Sequence, residues 1–129
     1  MKYIDFINDT ENYFTQEIII GKKEYTTHIV YNEGIVFDLS YEFTYYDNIF
    51  VKGKNTEGKM ASIIDSPFLD LWSKILKQLN FSGIGCFNYK IVNGKPMIFE
   101  FNPRFGASLT RHAASLIEAL LKHKKVSFV

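Results

Sequence analysis

The side chains in this sequence most able to do chemistry lie in the stretch EFNPR, where Glu100, Asn102 and Arg104 alternate. Residues two apart in a strand project from one face, so the three would emerge together. Oxygen-bearing side chains suit a hard cation such as Mg²⁺, which keeps several waters and shares its remaining positions with phosphate oxygens. An Arg beside such a site can hold a phosphate or carboxylate through two parallel hydrogen bonds. The same residues also fit a solvated sheet face that ends in charged groups.

The element that must position them is a hairpin over Ser82 to Gly106, with Asn93-Gly94 as the turn signal between alternating apolar residues. A plain two-residue turn would set Phe87 opposite Glu100 and mix aromatic and polar groups on each face. A slip of one residue, through a three-residue or bulged connection, sets Asn88 opposite Glu100. It also gathers Phe87, Tyr89, Ile91, Met97, Phe99 and Phe101 on one face. A buried face selects that register. The polar face then carries Asn88, Lys90, Glu100 and Asn102, with Arg104 at the strand's end.

The stretch GIGCFNYKIVNGKPMIFEFNPRFG resembles the C-terminal hairpin of the ATP-grasp enzymes, whose signature is a Glu-x-Asn-x-Arg strand preceded by a metal-binding strand. The resemblance implies that Glu100 and Asn102 are Mg²⁺ ligands and that Arg104 steadies the transferred phosphoryl group or the acyl substrate. Asn88 falls where biotin-carboxylase-like members carry a first metal-binding carboxylate. An amide there still offers an oxygen but removes one negative charge.

A second stretch, QEIIIGKKEY from Gln16 to Tyr25, is similar to the segment of the carbamoyl phosphate synthetase large subunit and its relatives that holds the nucleotide base. That likeness implies adenine contacts from the backbone of Glu17 and Ile19, and ribose contacts from Glu24. An extended backbone offers a C=O and an N–H at one edge, and Ile side chains can sandwich a base. An ordinary core strand, a Gly turn and a surface Glu fit the same residues.

Gly53 to Lys59 matches the first seven positions of a P-loop, but Met60 stands where Ser or Thr should bind Mg²⁺, and Asp65-Ser66-Pro67 interrupts the helix a P-loop must open. The stretch reads instead as a Lys/Gly loop, with Lys52 or Lys54 near a triphosphate as an intermediate possibility. Tyr25 to Tyr31 and Ile35 to Phe43 read as strands around the turn Asn32-Glu33-Gly34, after a short apolar strand over Gln16 to Ile20. A helix is predicted from Ser66 as N-cap and Pro67 at its first position, with Phe68, Trp72, Ile75, Leu76 and Leu79 facing the core. A second runs from about Ser108 to Lys122, burying Leu109, Ala113, Leu116, Ile117, Leu120 and Leu121. Arg111 and His112 fall in its first turn, with His112 read as a surface residue, and Lys122 to Lys125 complement its dipole. Met1 to Asn12 is weakly patterned.

The chain has 129 residues, 47% of them hydrophobic and 16% aromatic, which suits one folded domain over residues 1–129. A formal net charge of +1 gives no reason to expect nucleic acid or an acidic membrane as a partner. Cys86 is the single cysteine, so there is no intramolecular disulfide, and it reads as a small core thiol. Without a signal-peptide pattern or a membrane-length apolar run, the expected setting is cytoplasmic.

The expected fold is therefore α+β: a mostly antiparallel sheet with two helices packed on one face. By resemblance this is the second lobe of an ATP-grasp domain, without the N-terminal lobe and the preceding substrate domain. The implied parent is an ATP-dependent carboxylate-amine ligase using ATP and Mg²⁺ to make an acyl phosphate. The chain alone would be nearly inactive, as a fragment whose partners are the nucleotide and a complementary chain. Two rivals are a docking module that works with another chain, marked by an apolar patch at Ile18 to Ile20, and an interaction domain that kept the fold and lost the chemistry.

Overall fold

The computed structural model describes residues 14–49 and 60–123. Met1 to Asn12, the Gly53 to Lys59 stretch with Lys52 and Lys54, and Lys124 and Lys125 lie outside the described residues. The elements are β1 (Lys23–Tyr31), β2 (Ile35–Thr44), β3 (Met60–Ile64), α1 (Leu69–Gln78), β4 (Gly83–Val92), β5 (Lys95–Asn102), a 3₁₀ segment (Ala107–His112) and α2 (Ala113–His123). The strands form one five-stranded sheet in the order β3-β2-β1-β4-β5, and every neighbouring pair is antiparallel. This is the α+β class with an antiparallel sheet that the sequence pattern predicts.

The helices do not share a face of that sheet. Trp72 and Leu76 of α1 pack on Tyr25, Ile29, Tyr31, Phe87 and Tyr89. Leu109 and Leu116, from the 3₁₀ segment and α2, pack on Val30 of the opposite face, with Ile84, Leu39 and Leu120 around them. The physical reason is in β1, which is buried at every residue from Tyr25 to Tyr31. A strand that carries apolar groups on both sides needs a layer on each.

The β4–β5 hairpin places Asn88 opposite Glu100 and Phe87 opposite Phe101, as the buried-face argument requires. The slip that produces this register is not at the turn. Val92 pairs with Lys95 around a two-residue Asn93-Gly94 turn, and the irregularity sits between Asn88 and Tyr89. Tyr89 therefore faces Ile98, while Met97 faces Lys90, so Met97 and Phe99 do not continue the Phe101 row. Gly85 completes the packing: a Cβ there would fall 2.5 Å from the Phe101 ring. Its absence lets that ring lie 4.6 Å from Phe87.

Three local expectations also shift. Gln16 to Ile20 is not a strand but an irregular lead into β1. The N-cap position of α1 is Phe68, in left-handed backbone at φ 63° without a side-chain cap, and Ser66 instead accepts a hydrogen bond from Ser40 at 2.8 Å. Leu79 at the end of α1, and Ile117 and Leu121 of α2, are exposed rather than buried.

Candidate functional site

Period-two alternation builds one polar face from three strands. β1 contributes Glu24, Thr26 and His28, β4 contributes Cys86, Asn88 and Lys90, and β5 contributes Glu100 and Asn102. The chain then leaves β5 through Arg104 and crosses this face at Gly106, Ala107 and Ser108. The result is a cleft of about 220 Å³ lined by Glu24, Thr26 and His28 on one side and by Asn88, Asn102 and Arg104 on the other. Phe43 and Tyr45 wall its outer end, and Cys86, Gly106 and Ser108 its inner end. It lies on the face that carries α2, away from α1.

Asn88, Glu100 and Asn102 form a hydrogen-bonded cluster at the cleft. Asn88 donates from Nδ2 to Glu100 Oε1 at 2.9 Å, and Asn102 donates to the same oxygen at 2.7 Å. Thr26 donates to Asn88 Oδ1 at 2.7 Å, which fixes that amide from behind. A half-turn of each amide would present two oxygens beside the carboxylate, and the Thr26 hydroxyl can accept as well as donate. The donor set would then be one carboxylate and two amide oxygens, the oxygen-only kind that a hard cation such as Mg²⁺ takes. Among the described residues no three His, Cys, Asp or Glu side chains converge to hold a metal, so this is not a closed acidic cage.

Arg104 stands in the turn after β5, where its backbone N–H donates to the Asn102 carbonyl at 2.8 Å. Its side chain is exposed and, among the described residues, makes one long contact, 3.3 Å to the Phe105 carbonyl.

The inner end of the cleft was not visible in the motif pattern. His28 is 1% exposed, and its Nε2 lies 2.7 Å from Ser108 Oγ. Its Nδ1 is buried with no hydrogen-bond partner among the described residues. Burial pushes the imidazole down to about 4, so it is neutral near pH 7. Gly106 lies against the ring, where a Cβ would fall 2.5 Å from Cε1 and 3.3 Å from Cys86 Sγ. Extending the alternation inward from Glu24 would have found His28. Its contact with Ser108 spans 80 residues of sequence and leaves no local signal. Cys86 is buried, as expected of a core thiol, but it also lines the cleft. His112 is only half-buried, with its ring centroid 6.1 Å from that of Tyr41.

At the outer end, burial and then the charge of Glu24 push the Tyr45 phenol up to about 12. The same charge opposes the lowering that burial imposes on Lys90. Ile19 lies beside this end, its carbonyl accepting a hydrogen bond from Lys90 Nζ at 2.7 Å. Glu17 is exposed on the same lead and does not line the cleft. The structure thus brings Glu24, Asn88, Asn102 and Arg104 to one cleft, ties Glu100 to two of them, and leaves Glu17 and Ile19 on a flanking segment.

Comparison of the chain with family models, with curated proteins and with solved structures gives no match. Among the described residues no helix is long and apolar enough to cross a membrane.

Proposed function

We propose that this chain is the nucleotide- and Mg²⁺-binding lobe of an ATP-grasp ligase of the carbamoyl phosphate synthetase kind. The observation that carries the reading is the Asn88–Glu100–Asn102 cluster beside a cleft that also holds Glu24 and Arg104. Those residues were singled out separately, from two stretches of sequence far apart. ATP with Mg²⁺ supplies the phosphoryl group that activates a carboxylate as an acyl phosphate. Glu100, Asn102 and Asn88 hold the ion against phosphate oxygens. Arg104 places its guanidinium where negative charge gathers during transfer, a role of positioning and electrostatics. Glu24 accepts hydrogen bonds from ribose hydroxyls, and the backbone of Glu17 and Ile19 takes the edge of the base. The rest of the phosphate cradle comes from a further lobe, so the lobe alone binds nucleotide without turning it over.

A second reading is a docking module that retains this fold. Phe14, Ile18 and Ile20 favour it, being 85%, 53% and 66% exposed on the segment flanking the cleft. Calorimetric titration with Mg²⁺ and a non-hydrolysable ATP analogue separates the two. The nucleotide reading expects saturable binding that weakens at least ~10-fold in Glu100→Ala, the scale of a lost charged hydrogen bond or ion contact. Folded protein that takes up no analogue at millimolar concentration would favour the docking module.

A further inference from the structure

Lys90 is a charged side chain that the proposed chemistry does not use, yet it is only 6% exposed. It sits on the cleft face of β4, two residues beyond Asn88, and pairs across the hairpin with Met97. Its ammonium donates to the Ile19 carbonyl at 2.7 Å. Its stem passes close under the same segment, since a Cβ on Gly21 would lie 3.9 Å from Lys90 Cδ. Burying an ammonium is unfavourable unless its donors are used, so this contact is more than a surface decoration.

Among the described residues, the segment it holds has few other ties. Residues 14–21 form no helix or strand. Among the described residues, two other hydrogen bonds reach the lead, Gln16 Nε2 to the Phe99 carbonyl at 3.0 Å and the Gly21 N–H to the Asn48 carbonyl at 2.9 Å. Ile18 and Ile20 turn outward on either side of the pinned Ile19. Lys90 is therefore the buried charged anchor at the middle of an otherwise exposed strip.

We propose that Lys90 is a positioning residue that clamps the Gln16–Gly21 segment to the sheet and so sets the rest on which a nucleobase docks. The inference stands on the nucleotide reading above for its ligand, and on the structure alone for the clamp. Lys90 acts through Ile19 and does not touch the phosphates. Its removal should loosen base recognition and leave the phosphate end intact.

Lys90→Met, which keeps an aliphatic stem and loses the ammonium, tests this alongside Lys90→Arg, which restores a donor. Amide hydrogen exchange should speed up at least ~10-fold at Gly21, the amide of the segment that the Asn48 carbonyl holds, in Lys90→Met, with the β1 and β4 core amides unchanged. Affinity for an ATP analogue should fall at least ~10-fold, whereas affinity for Mg²⁺-tripolyphosphate should not change, and Lys90→Arg should recover part of the loss. Unchanged exchange in the segment would overturn the clamp. Equal losses for analogue and tripolyphosphate, or no loss for either, would overturn the nucleobase role. Wild-type protein that binds neither ligand but shows the exchange effect would remove the nucleotide reading, and the base with it, while supporting the clamp.

Discussion

A methyl group on residue 106 would arrive 2.5 Å from His28 Cε1 and 3.0 Å from its Nδ1. Gly106 has φ −85°, which any residue adopts, so the constraint is contact and not backbone conformation. The ring cannot retreat easily, because Ser108 holds its other edge. Gly106→Ala should lower stability by about 1–3 kcal/mol, the usual range for overpacking, read as a lower urea midpoint at constant m-value. At this scale the sequence is informative where chemistry follows a period of two. Glu100, Asn102 and Asn88 could be grouped because strand alternation and a buried aromatic face leave one acceptable register. The His28–Ser108–Gly106 contacts could not, because they depend on where the chain crosses the sheet after Arg104.

Hairpin and helix show two different reasons for partial legibility. A bulge within the strands and a bulge at the turn bring the same pair, Asn88 and Glu100, face to face, so the aromatic pattern alone does not choose between them. Residues nearer the turn do distinguish them, and there Met97 faces Lys90. The start of α1 shifted because Phe68 adopts left-handed backbone where its ring meets Trp72 and Tyr89, with centroids 6.0 and 6.1 Å away. Tertiary packing outweighed the local preference for a Ser cap. The helices occupy opposite faces, and the sign was present in TTHIV, a run of β1 with few charges to point at water. This separation makes Trp72, the only tryptophan, a reporter for one face. Leu116→Ala should lower stability by about 2–5 kcal/mol yet leave native tryptophan emission unchanged. Leu76→Ala, in the tryptophan's own cluster, should change both. A shift of native emission in Leu116→Ala would mean that the two layers are not independent.

For the molecule as a whole, the buried imidazole couples folding to acidity. His28 ordinarily titrates near 6.5 and is held down to about 4 in the fold. Between those values the unfolded chain binds a proton that the folded chain excludes, so stability is full above the higher value and declines as pH falls toward the lower. The loss is on the order of 3 kcal/mol, complete below both values. Urea midpoints from pH 7.5 to 4 should fall accordingly, and His28→Phe should flatten that part of the profile. The two outer strands carry a different consequence. β3 is five residues long. β5 is interrupted by Pro96 and by the register shift opposite Asn88, and the Phe99 carbonyl is already taken by Gln16. Among the described residues, neither border offers the long, flat, unsatisfied ladder on which a second chain could template itself. The irregularity that aligns a polar cluster on one side of the sheet thus also discourages the sheet from growing into a fibre.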